Sequence, residues 1–244
     1  MRRFLTLWRR ECMACFLSPV AYVTMVLFYL VASFTFFAAV LYHEGEVQSL
    51  NILLYSAILL WSPVLVTVIC MRLFAEERRT GTLEPLMTAP VTEWEVVLGK
   101  YAGAMLFVLV VLSPVAGNLF FLALLSPGIT VVDWGAWLAG GVGTILMTGL
   151  FVAVGTLISL FTRNQIVAAL SCFAALWMMI LFGHLLEQSP IALFYRNAEW
   201  FAVVTHLERF ARGLVDTRLI VQYLSLTVLM LFVSVRVLET RRWL

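Results

Sequence analysis

The sequence predicts an all-α membrane protein with six transmembrane helices, and three observations lead there. Hydrophobic residues make up 63% of the 244 and charged residues only 12%, against about 25% charged in an ordinary soluble domain. A soluble domain of this length buries about 70–75% of the surface its unfolded chain exposes, too little to hide this apolar content. The apolar residues also gather into six windows, 19–41, 52–71, 101–125, 136–161, 166–186 and 219–238, whose one charged residue, Arg236, sits at an end. Each window is long enough to cross about 30 Å of hydrocarbon as a helix and too long for a barrel strand. These features exclude a soluble enzyme, a disordered chain and a coiled coil. One domain over 1–244 is expected.

Before the first window, Phe4, Trp8, Cys12, Cys15 and Phe16 fall on one helical face, with Arg2, Arg3, Arg9 and Arg10 turned away from it. This predicts a short basic interfacial helix. Arg9, Arg10 and Glu11 interrupt the stretch, and the apolar run after it is too long for a signal-peptide core. Cys12 and Cys15 form a C-x-x-C, but the sequence holds no second such pair, and His43, His184 and His206 are scattered. A tetrahedral metal site needs four ligands, so the two thiols are read as sharing the apolar face. No metal and no cofactor are expected.

The second and third windows carry prolines behind serines, Ser62-Pro63 and Ser113-Pro114. Each proline removes a backbone donor and is expected to bend its helix. Between these windows, residues 72–100 are the most charged part of the chain, with Glu76, Glu77, Arg78, Arg79, Glu84, Glu93, Glu95 and Lys100. Thr80, Gly81 and Thr82 form a turn ahead of Leu83. Leu83, Leu86 and Met87 share a helical face, Pro90 stops that helix, and Thr92 with Glu95 can form a capping box for the next one. Two short helices with a break, docking on something outside the bilayer, are expected. In the fourth window Gly140, Thr144 and Thr148 recur every four residues, a stripe that lets another helix approach closely.

Between windows five and six, Trp200, Val203, Val204, Leu207, Phe210, Ala211 and Leu214 form an amphipathic stripe, with Gly213 as a C-cap. It predicts a short re-entrant or interfacial helix. Twelve of the 16 basic residues flank the windows on the side of both termini and four on the other. The positive-inside rule then places both termini in the cytoplasm and the 187–217 segment outside.

No phosphate-cradling G-x-x-x-x-G-K-[ST], no H-E-x-x-H and no G-x-S-x-G is present. The window interiors lack the ionisable groups that ion-coupled transporters place at mid-membrane. Any energy for work is therefore expected from another polypeptide. Catalysis and nucleic-acid binding are not expected.

The run F-A-E-E-R-R-T-G-T-L-E-P-L-M-T-A-P-V-T-x-x-E-V-V-L-G-K at 74–100 strongly resembles the ABC-2 type permease family. T-H-L-E-R-F-A-R-G-L-V-D-T-R-L-I-V-Q-Y-L at 205–224 and R-V-L-E-T-R-R-W at 236–243 are similar to the gliding-motility-type permeases within it. The resemblance implies a permease subunit of an ATP-driven exporter in the bacterial inner membrane. It implies two copies of a separate ABC ATPase and a second permease chain, the same or different. By the same resemblance Glu76 and Glu77 are the acidic pair ending span two. Thr80, Gly81, Thr82, Leu83, Glu84 and Leu86 form the ATPase-facing coupling segment, which Pro90 ends. Pro85 departs from the family, which has an aliphatic residue there. The outer helix, with Trp200, Leu207 and Phe210, becomes a candidate outer gate. The alternative is a non-transporting membrane anchor for a motility or secretion complex.

Overall fold

A computed structural model describes residues 2–42, 47–82, 92–125, 133–187 and 200–241. Every element among them is helical. In chain order they are α1 (Arg2–Phe16), α2 (Pro19–Tyr42), α3 (Val47–Leu73), α4 (Ala75–Thr80), α5 (Glu93–Ala116), α6 (Asn118–Leu125), α7 (Trp134–Phe161), α8 (Gln165–Glu187), α9 (Val203–Ala211) and α10 (Thr217–Arg241). Six helical stretches are long and apolar enough to cross a membrane, and all six expected windows fall within them. The third begins earlier than expected, at Glu93, and is broken at Gly117 into α5 and α6.

Both prolines lie inside helices, and their serines explain how. A proline leaves the carbonyl four residues before it without its helical donor. Ser62 Oγ donates to the Leu59 carbonyl at 3.0 Å, and Ser113 Oγ donates to the Val110 carbonyl at 2.9 Å. These are the two carbonyls the prolines orphan, and a side-chain hydroxyl is the partner available where water is absent.

The bundle is built around α7, which packs against α3, α5, α8, α9 and α10. Its most apolar window is 67% buried, against 22% for that of α2. Glycines on α7 make this possible. A Cβ at Gly140 would overlap the Tyr55 ring, one at Gly143 would lie 2.7 Å from Phe210 Cγ, and one at Gly155 would lie 2.6 Å from Cys70 Sγ. Thr144 and Thr148 are buried beside them and donate to their own helix, to the Gly140 and Thr144 carbonyls. The helix thus meets α3 and α9 with no hydroxyl left wanting at these two positions.

The expected amphipathic helix after α8 is α9, and it is shorter than the stripe. Trp200 lies in a turn before it, its carbonyl accepting from Gln222 Nε2, and Leu214 lies past its end. The end is set by Gly213, at φ 82°. The Leu214 N–H donates to the Arg209 carbonyl and the Gly213 N–H to the Phe210 carbonyl, the two bonds of a Schellman cap.

Candidate functional site

The docked helix α1 and the last turns of α10 lie at one end of the bundle, where the Trp94 ring of α5 meets the Phe232 ring of α10 at 6.0 Å and a tilt of 47°. The polar chemistry of the described residues concentrates there. α3 ends at Leu73, Phe74 makes a turn, and α4 starts against the end of α7. Ser159 Oγ, itself buried, accepts from the Phe74 and Ala75 N–H groups at 3.1 and 3.2 Å. Arg78 Nη1 donates to the Leu160 carbonyl at 2.7 Å. A hydroxyl of α7 therefore caps α4 from outside its own sequence, satisfying donors that a helix start leaves open.

Lys100 lies at the centre. Its side chain is 2% exposed, and Nζ lies 2.8 Å from Glu77 Oε1 and 3.1 Å from Glu11 Oε1. The Phe74 ring centroid is 5.2 Å from the ammonium. This joins α4, α5 and α1 through one buried cation. A buried charge is tolerated only when paired and hydrogen-bonded, and here two carboxylates and a ring face perform that service. Glu11 reaches Lys100 because α1 lies along the first turns of α5. Gly99 and Gly103 give it room: a Cβ at Gly103 would lie 2.9 Å from Glu11 Cβ, and one at Gly99 3.4 Å from Leu7 Cβ. Phe16 then meets Phe107 edge to face at 5.2 Å. So α1 is a docked helix as well as an amphipathic one, with Arg9 and Arg10 exposed.

Burial pushes the Cys15 thiol up to about 11, with the Glu11 carboxylate adding to it, and the Cys12 thiol rises for the same two reasons. Both are protonated thiols at neutral pH.

α4 ends in a tight exposed turn. Gly81 takes φ 73°, its N–H and that of Thr82 donate to the Glu77 carbonyl, and Thr80 Oγ1 donates to the Glu76 carbonyl at 3.0 Å. The chain returns at Thr92, where the expected capping box is present: Thr92 Oγ1 accepts from the Glu95 N–H, and Glu95 Oε2 accepts from the Thr92 N–H.

Glu77 thus sits in the buried cluster, Glu76 lines the adjoining cavity, and Thr80, Gly81 and Thr82 are exposed beside them. Leu83, Glu84, Leu86 and Pro90 lie outside the described residues. At the opposite end of the bundle, Phe210 (0% exposed) and Leu207 are buried, whereas Trp200 is 64% exposed. Lys100, Glu11 and Ser159 are the site residues that sequence reasoning did not assign. A signal for the first two existed in the G-x-x-x-G of residues 99–103, which marks a place where another helix comes close.

The sequence model of the ABC-2 family transporter protein family matches residues 42–239. No curated protein matches the chain. The chain belongs to the ABC-2 transporter family, as a multi-pass permease subunit of an ABC transporter, a system that includes an ATPase partner.

Proposed function

We propose that this permease drives export by coupling to separate ATPase subunits through residues 72–100. The observation that carries the reading is the Glu77–Lys100–Glu11 cluster. The segment between Thr82 and Thr92 has both ends tied: α4 is clamped to α5 by Glu77 and Lys100, to α7 by Arg78 and Ser159, and α5 to α1 by Glu11. A force on residues 83–91 therefore reaches α3, α5, α7 and α1 together, which favours rigid-body tilting over local loop motion. A hinge-like loop with solvated ends would dissipate the same push.

In this reading two permease chains enclose the path and two ATPases grip their loops from the cytoplasm, where the basic balance puts both termini. Glu76, Glu77, Thr80, Gly81, Thr82, Leu83, Glu84, Leu86 and Pro90 form the gripped segment. None is catalytic, and nucleotide chemistry stays with the partner. The bacterial inner membrane is the proposed location. At the other end, α9 serves as the outer gate, with Leu207 and Phe210 seated on the bundle in the closed state and Trp200 at the rim.

Replacing Glu84 with Lys tests the coupling. The variant is expected to insert normally yet lose co-purification of the ATPase or its ATP-driven transport. A fully assembled and fully active Glu84→Lys complex would remove the assignment.

A further inference from the structure

Beside the buried cluster, between α1 and the facing ends of α2 and α3, lies a cavity of about 320 Å³. That is within the range of ligand cavities, about 300–1,000 Å³. Its lining divides sharply. Val20 and Ala21 of α2 and Val68 and Ile69 of α3 form the side toward the spans, and Arg10, Arg72 and Lys100 with Glu11, Glu76 and Glu77 form the charged side. The charged side is dipolar. Arg72 donates to Ser18 Oγ at 2.8 Å, meets no carboxylate among the described residues, and its Nε is buried without a hydrogen-bond partner. Lys100, one cation, is shared by two carboxylates, and Glu77 Oε2 is likewise buried without a partner. One cationic and one anionic residue that line the same cavity thus each keep an unpartnered polar atom just behind its wall. Each group therefore has hydrogen-bonding capacity left over beyond the partner it already holds.

We infer that this cavity seats the head group of a zwitterionic aminophospholipid from the surrounding bilayer. The phosphate goes to Arg72 and Ser18, because a guanidinium fork matches phosphate oxygens. The primary ammonium goes to Glu77, with N–H groups that a trimethylammonium lacks. The acyl chains leave over α2, where Val20, Val23 and Leu27, at i, i+3 and i+7, are exposed along one face. The apolar wall selects a lipid over a soluble zwitterion, and the balanced charge selects it over an anionic lipid. The inference requires that the chain spans a membrane, and it does not depend on how an ATPase is engaged.

The test is native mass spectrometry on the full chain, delipidated in mild detergent and offered phosphatidylethanolamine, phosphatidylcholine and phosphatidylglycerol with identical acyl chains. Hydrogen bonds to charged groups set the expected preference for phosphatidylethanolamine at about tenfold or more. Arg72→Gln is expected to lower its retention by a similar factor. Ala21→Trp, which fills the apolar side without touching a charge, is expected to abolish the preference while the protein stays monodisperse. Equal retention of the three lipids by the unaltered chain overturns the inference, and that arm needs no variant to fold. An undiminished preference in Ala21→Trp overturns it as well.

Discussion

The two ends of the bundle are held by opposite means. At the end where α1 docks, α1, α4, α5 and α7 meet through one buried ammonium, two carboxylates, an arginine on a carbonyl and a serine hydroxyl. At the other end, α3, α7 and α9 meet by shape, the Tyr55 ring on Gly140 and the Phe210 ring on Gly143, with the Tyr55 hydroxyl donating to the Trp137 carbonyl and His206 Nδ1 of α9 bonded to the Tyr223 hydroxyl of α10 at 2.9 Å. The difference teaches where each end is vulnerable. Ionic joints in a buried place depend on every partner being present, since one missing charge strands another. Steric joints depend on volume and fail when a methyl group is added. An end that must receive a push from a partner is served by directional, non-yielding links. An end proposed to open is served by a surface that separates without breaking charges.

Four substitutions or measurements sharpen that contrast. The largest effect belongs to Lys100→Ala, which leaves Glu11 and Glu77 facing each other without their cation; a loss of about 3–5 kcal/mol is expected. Thermal unfolding in detergent reads it, and a fall in Tm of only a degree or so would show that the ionic end is not held by this residue. Next is Gly143→Ala, whose new methyl meets Phe210 Cγ at 2.7 Å; overpacking of this kind costs about 1–3 kcal/mol. Combining it with Phe210→Leu is expected to restore part of the loss, because contacting sites couple. Additive losses would contradict a steric joint. Ser159→Ala strips the acceptor from two N–H groups at the start of α4 and is expected to cost about 1 kcal/mol, the usual scale for a lost cap. Hydrogen exchange confined to residues 74–77 is its signature. The smallest effect is on reactivity. With its folded pKa raised to about 11, the Cys15 thiolate fraction grows about tenfold per pH unit up to that point. Maleimide labelling of a Cys15-only variant is expected to keep accelerating above pH 9, and a plateau below pH 9 would deny the burial.

Much of this architecture was legible in the residues. The six spans follow from hydropathy because hydrocarbon accepts no charge and demands helices. The capping box of Thr92 and Glu95 and the helix stop at Gly213 follow from local chemistry within a few residues. Within the charged stretch 72–100, Glu76 and Glu77 were singled out by resemblance, and Glu77 lies in the buried cluster while Glu76 lines the cavity beside it. Trp200 was counted into a helix because a stripe of apolar residues does not say where its ends are. Leu207 and Phe210 read as an amphipathic face, which periodicity finds, but what that face lies on is not written in it.

The sequence by itself determined that this chain crosses a membrane six times, which end gathers basic charge, and, through one resembling run, its family. Only the tertiary structure decided that Lys100 is buried, that Glu11 answers it from 89 residues away, and that α7 caps α4 with Ser159. Membrane insertion is decided window by window, from properties each segment carries alone. A buried ion pair is decided by which helices lie side by side, and no local pattern records the distance between residues that meet only when α1 docks on α5.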